Sequence, residues 1–130
     1  MKMIGWFLVA GLAMAQQQTA FKPVASNAQL MRAFIIPSSD VLFNVGLEPP
    51  KDAAGWTAIE NHALILAEAG NLLMMAPRAK DDVWMKESQA LVEAGEAALK
   101  AAQAKNVDQL SMIADQMLEV CERCHAKYLR

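Results

Sequence analysis

The sequence is short of the side chains on which several familiar chemistries depend. Its 130 residues contain two cysteines, two histidines, one tyrosine and four phenylalanines. Two cysteines cannot build the disulfide framework that holds small core-poor domains together. Charge is nearly balanced, 12 Lys and Arg against 14 Asp and Glu. No basic stripe follows a helix or loop, so nucleic acid is not an expected partner. No apolar run reaches the ~20 residues that a bilayer-spanning helix needs, so no membrane span is expected. There is no internal repeat and no strand-like alternation of useful length. The acidic residues fit helix starts and solvated faces, and no carboxylate pair poised in an apolar stripe suggests acid–base catalysis.

What is abundant is alanine, leucine and methionine, residues that lose little conformational freedom in a helix. Met1-Lys2, the apolar stretch from Met3 to Leu12, and Ala13-Met14-Ala15 have the order of a cleavable export leader. The chain accordingly divides into a leader over 1–15, a polar lead-in over 16–26 containing Pro23, and one domain over 27–130. Export places the domain in the periplasm. A domain of this length buries roughly two-thirds of its unfolded surface.

Four amphipathic segments make up the domain. Ser26 or Asn27 can cap a first helix carrying Leu30, Met31, Phe34 and Ile35 on one stripe. Pro37 interrupts it, giving a kink or a restart before Gly46. Gly46 to Lys51 reads as a loop. Asp52 can cap a second helix from about Ala53 to Ala76, with Trp56, Ile59, Ala63, Leu66, Gly70 and Leu73 on one side. Asp81 and Asp82 suit the start of a third, to about Lys105, with Trp84, Leu91, Ala94, Ala98 and Ala101 inward. Asn106 and Asp108 open a fourth, to about Tyr128. Short links between amphipathic helices predict an all-α fold, an antiparallel up-and-down four-helix bundle. Gly70 and Gly95 fall inside helices, where glycine is ~1 kcal/mol worse than alanine. Close approach of a neighbouring helix or of a bound group would compensate.

The last segment carries both cysteines, as Cys121-Glu122-Arg123-Cys124-His125. CxxCH is the attachment sequence of c-type haem, with the two sulfurs joined to the porphyrin edge and the histidine on the iron. On a helix, Cys121, Cys124 and His125 stand at i, i+3 and i+4 and share a face with Leu110, Ile113, Ala114, Met117 and Tyr128. The expected cofactor is therefore one covalent haem c inside the bundle. A thioredoxin-type CxxC follows a strand and opens a helix. Zinc would have to recruit the distant His62 as a fourth ligand. A disulfide or another metal site is the remaining alternative for these cysteines.

With CxxCH near the C-terminus of a four-helix pattern, the chain resembles the class II cytochromes c, the cytochrome c′ and cytochrome c-556 group. The similarity runs through Leu30-Met31-Arg32, Asp82-Val83-Trp84, Leu91 to Leu99, Lys105 to Asp108 and Cys121 to Tyr128. It implies Cys121 and Cys124 as haem thioethers and His125 as proximal ligand. By the same likeness Met31 is the distal ligand, as in the c-556 type. Such low-spin His/Met iron carries single electrons and is not an enzyme; its partners would be periplasmic or membrane-bound redox proteins. The alternative is a five-coordinate, c′-type protein that binds NO or CO, with Leu30 and Phe34 as an apolar lid. Class II proteins commonly place Arg or Lys four residues beyond the haem histidine, where this chain has Leu129. That departure favours the six-coordinate reading. The resemblance also allows a homodimer through the first two helices.

Each remaining candidate has a structural reading beside the functional one. Met31 is one of several methionines at helical spacing, where core filling is the common role. Arg32 and Gln29 can meet a haem propionate or lie on a solvated face. His62 can ligate iron or sit as an ordinary helix histidine. Trp56 and Trp84 are expected as core, and Tyr128 as packing on the proximal side.

Overall fold

Four helical runs each begin where a polar side chain can replace a missing backbone partner. The computed structural model describes residues 21–129. The export leader predicted at 1–15, and residues 16–20 of the lead-in, lie outside the described residues. All regular structure among the described residues is helical: α1 (Asn27–Leu30), a π-helical turn (Met31–Ile35), α2 (Ile36–Phe43), α3 (Ala53–Met74), α4 (Asp82–Gln103) and α5 (Val107–Tyr128). The first three run on without a break and form one rod, so four rods make the bundle. No helix of the described residues is long and apolar enough to cross a membrane.

Ser26 rather than Asn27 starts the first rod, by a reciprocal capping box. Its hydroxyl accepts from the Gln29 amide at 3.2 Å, and the Gln29 side-chain carbonyl accepts from the Ser26 amide at 2.9 Å. Asp52, Asp81 and Asn106 cap α3, α4 and α5 by accepting from Gly55, Trp84 and Gln109 at 2.8, 3.0 and 3.0 Å. Each cap satisfies an amide that has no partner inside its helix, for about 1 kcal/mol.

Pro37 does not restart the rod, whose helical run is unbroken from Asn27 to Phe43. It has no N–H for the carbonyl of Ala33, and its ring presses on that carbonyl. The chain answers with one wide turn just upstream, in which the Ile36 amide reaches the Met31 carbonyl five residues back. The extra residue rotates the rest of the rod. Ile35, Ser38, Ser39 and Leu42 become buried, whereas Phe34 is 42% exposed. The predicted stripe of Leu30, Met31, Phe34 and Ile35 assumes unbroken α spacing, and Phe34 is the residue it misplaces.

The most extensive packing joins α3 to α4, and next α4 to α5. A Cβ on Gly95 would stand 2.6 Å from the Ala67 nitrogen and 2.9 Å from the Ala63 oxygen. One on Gly70 would stand 2.8 Å from the Ser88 oxygen and 2.7 Å from a Val92 methyl. The compensation for both glycines is thus the approach of the neighbouring helix. Gly70 meets residues 88–92 while Gly95 meets 63–67, so α3 and α4 run antiparallel. Asp81 meets Lys127 and Tyr128 while Glu87 meets Arg123, which makes α4 and α5 antiparallel too. Ala25 meets Arg78 and Ser38 meets His62, so the first rod opposes α3. Leu30, Leu42, Leu66, Leu110 and Met117, each 2% exposed or less, fill the centre.

The α4–α5 connection is only Ala104, Lys105 and Asn106. Lys105 takes a left-handed conformation (φ 54°), donating to the Ala102 carbonyl at 2.9 Å, while the Asn106 amide reaches Ala101 at 2.9 Å. This is a Schellman ending, and the residue that completes it also caps the next helix.

Gly95→Ala sets a methyl against backbone atoms that cannot step aside. A net loss of about 1–3 kcal/mol is expected, although alanine is the better helix former by ~1 kcal/mol. Denaturant unfolding reads the change, and a stabilised variant would mean that α3 and α4 separate freely.

Candidate functional site

The apolar stripe of α5 changes character along its length. Leu110, Ile113, Ala114 and Met117 are buried, whereas Cys121, Cys124, His125 and Tyr128 on the same face are half-buried. The helix passes there from the packed core to the wall of a cavity of about 460 Å³. That volume lies in the usual ~300–1,000 Å³ range of ligand sites. Cys121, Cys124 and His125 line it from α5, Met31, Ile35, Ile36 and Phe43 from the first rod, Glu87, Ser88 and Leu91 from α4, and Leu73 from α3. The structure thus brings Met31 to the same cavity as the CxxCH segment. Met31 opens the wide turn forced by Pro37, and Ile35, at its end, lines the wall beside it.

The other sequence candidates fall elsewhere. The Gln29 side chain closes the capping box, Arg32 is exposed, and neither lines the cavity. His62 lies with its Nδ1 3.2 Å from the Ser38 hydroxyl and is not part of the wall. Trp84 is buried, donating its indole N–H to the Leu73 carbonyl at 2.8 Å, and Trp56 packs at the edge of the core. Tyr128 stacks edge-on against Trp84, centroids 5.0 Å apart, and does not line the cavity.

Both cysteines are free thiols. Burial pushes each thiol up from its ordinary value; the neighbouring Cys124 and Glu122 add to this at Cys121, and the Glu87 carboxylate adds to it at Cys124. The pair is therefore neutral near pH 7. The chemistry open to them is that of soft, uncharged sulfur beside an imidazole.

Glu87 departs from the expectation that the acidic residues lie at helix starts and on solvated faces. It is 5% exposed, stands between Trp84 and Leu91 on the inner face of α4, and lines the cavity. Arg123, from within the CxxCH segment, grips it with Nε 3.2 Å from Oε1 and Nη2 3.1 Å from Oε2. Such a forked pair is stronger than a neutral hydrogen bond. The bond to Glu87 raises the Arg123 guanidinium further above its ordinary value. The signal is present in the sequence: Glu87 follows Trp84 by three residues and precedes Leu91 by four.

A second clamp holds the last turn of α5. The Asp81 carboxylate accepts from the Trp84 amide, from Lys127 Nζ at 2.8 Å and from the Tyr128 hydroxyl. The Lys80 ammonium lies over the Trp84 and Tyr128 rings at 5.1 and 5.3 Å. The turn that carries Cys124 and His125 is thereby tied to the start of α4. Hydrogen bonds from Lys127, then Tyr128 and Trp84, hold Asp81 well below the ordinary carboxylate range.

Among the described residues no group of three or more His, Cys, Asp or Glu side chains is gathered to hold a metal ion. No protein-family model, curated protein or solved structure matches the chain.

The shifted groups make two behaviours measurable. A carboxyl lowered by folding stabilises above its unfolded value and loses that contribution as pH falls toward its folded one. The Asp81 clamp should thus be complete at neutral pH and weaken in acid below the ordinary carboxylate range. Asp81→Asn should flatten that part of the acid unfolding curve, and an unchanged curve would mean that the clamp contributes no stability. For the free thiols, the pH profile of alkylation should inflect at higher pH in the folded protein than in the denatured chain. Coincident profiles would mean that burial does not govern them.

Proposed function

We propose that the chain is a monohaem c-type cytochrome of the class II kind, carrying single electrons in the periplasm. The observation that carries the reading is the convergence on one apolar cavity of Cys121, Cys124, His125 and Met31. The donor set suits the group: two thiols spaced for covalent attachment, an imidazole on the next residue, and a thioether on another helix. Haem supplies the redox-active iron, and every other part of the function belongs to the protein.

The chain's own residues would do three things. Cys121 and Cys124, one helical turn apart, would anchor one edge of the group to α5. His125 would hold the proximal side of the iron, with its backbone fixed by the Asp81 clamp. Met31, presented by the wide turn, would hold the distal side and favour the reduced state, since a thioether opposite imidazole raises the potential. The surrounding Ile35, Ile36, Phe43, Leu73 and Leu91 would keep water from the iron and limit reorganisation during electron transfer. A carrier between donor and acceptor proteins is the function these groups support.

Haem staining on a denaturing gel, after expression with the attachment machinery, tests the first half of the reading. An unstained chain would leave a haem-free helical module. The absorption spectrum tests the second half: a low-spin ferric spectrum with the methionine–iron charge-transfer band is expected. Met31→Ala should convert it to high spin and open the reduced protein to carbon monoxide. A high-spin spectrum in the unaltered protein would replace Met31 ligation with the five-coordinate, gas-binding alternative.

A further inference from the structure

Glu87 stands in the cavity wall as one half of an ion pair whose two charges are unequally screened. Its side chain is 6% exposed, while that of Arg123 is 52% exposed. Water therefore damps the arginine's field far more than the carboxylate's, because an exposed charge acts through an effective dielectric nearer to that of bulk water. A neutral pair by count is thus a negative site as felt from inside the cavity.

We propose that Glu87 sets the reduction potential of the group held by Cys121, Cys124 and His125, its buried charge lowering the potential. The inference rests on the haem reading above and adds to it a residue that reading does not need. A buried negative charge stabilises the more positive, ferric state over the ferrous one, opposing the effect of the Met31 thioether. Arg123 keeps the carboxylate in place: its two bonds fix both oxygens and come from the same turn as the cysteines. The link between potential and sequence thus runs across the α4–α5 interface. Glu87 lines the same cavity wall as Cys121, Cys124 and His125.

Potentiometric titration of the full, haem-bearing chain at neutral pH tests this. Glu87→Gln keeps the shape and one acceptor oxygen for Arg123 but removes the charge. It should raise the midpoint potential by roughly a tenfold change in the oxidised-to-reduced ratio, about 59 mV for one electron. Its absorption bands should stay in place, because the axial ligands are unchanged. Glu87→Asp keeps the charge and should stay near the unaltered protein. Equal potentials for the unaltered protein and Glu87→Gln, or equal shifts in the Gln and Asp variants, would overturn the proposal while leaving the cytochrome reading intact. If Glu87→Gln does not fold, the double variant Glu87→Gln/Arg123→Gln removes both partners together. A raised potential there supports the unequal screening, and an unshifted one overturns it. A chain that stains for no haem would sink the cytochrome reading first, and this proposal with it.

Discussion

The contact between α3 and α4 is the constraint on which the rest of the molecule depends. Two glycines let the backbones approach at distances that a single methyl would forbid, with Gly95 against Ala63 and Ala67, and Gly70 against Ser88 and Val92. Dispersion falls steeply with separation, so a close seam between two helices gains attraction that larger residues would lose. This seam is a rigid platform. On it, α5 docks through α4, and the first rod docks through α3. The cavity lies where the first rod, α4 and α5 fail to close on one another near the end of α5.

Much of this is legible in the sequence, because caps and stripes are local signals. Asp52, Asp81 and Asn106 announce their helices, and spacing alone brings out Ile59, Ala63, Leu66, Gly70 and Leu73 on α3 and Trp84, Leu91, Ala98 and Ala101 on α4. What escapes is non-local or breaks the period. The wide turn before Pro37 shifts the face of the first rod, so Phe34 points outward although its spacing places it inside. Glu87 escapes because a carboxylate in a stripe is costly unless paired, and its partner lies 36 residues away on another helix. Tyr128 shares the stripe of α5 but runs past the cavity to Trp84. Helical periodicity gives the face of a residue, not the depth of the surface that face meets.

The same distinction explains the site. CxxCH on an amphipathic helix says which side the sulfurs and imidazole take. Only the tertiary arrangement places Met31 in that cavity, and an unusual turn presents it. Pro37 and the residues around Met31 thus form one local unit, in which a helix defect and a candidate ligand are inseparable. Wide turns of this type recur where a side chain must leave the regular helical lattice. The polar contacts of Glu87 with Arg123 and of Asp81 with Lys127 and Tyr128 fasten the CxxCH turn to α4.

The left-handed Lys105 governs more than the end of a helix. Three residues separate α4 from α5, and all of them are occupied by the ending of one and the start of the other. No slack remains, so the rotational phase of α5 about its own axis is inherited from α4. One residue more in this connection would break either the ending of α4 or the Asn106 cap, and would re-aim α5 together with Cys121, Cys124 and His125. Length variation is therefore expected in the longer segments 44–52 and 75–81. The 104–106 connection acts as a ruler, and its length, more than its composition, keeps the site in register.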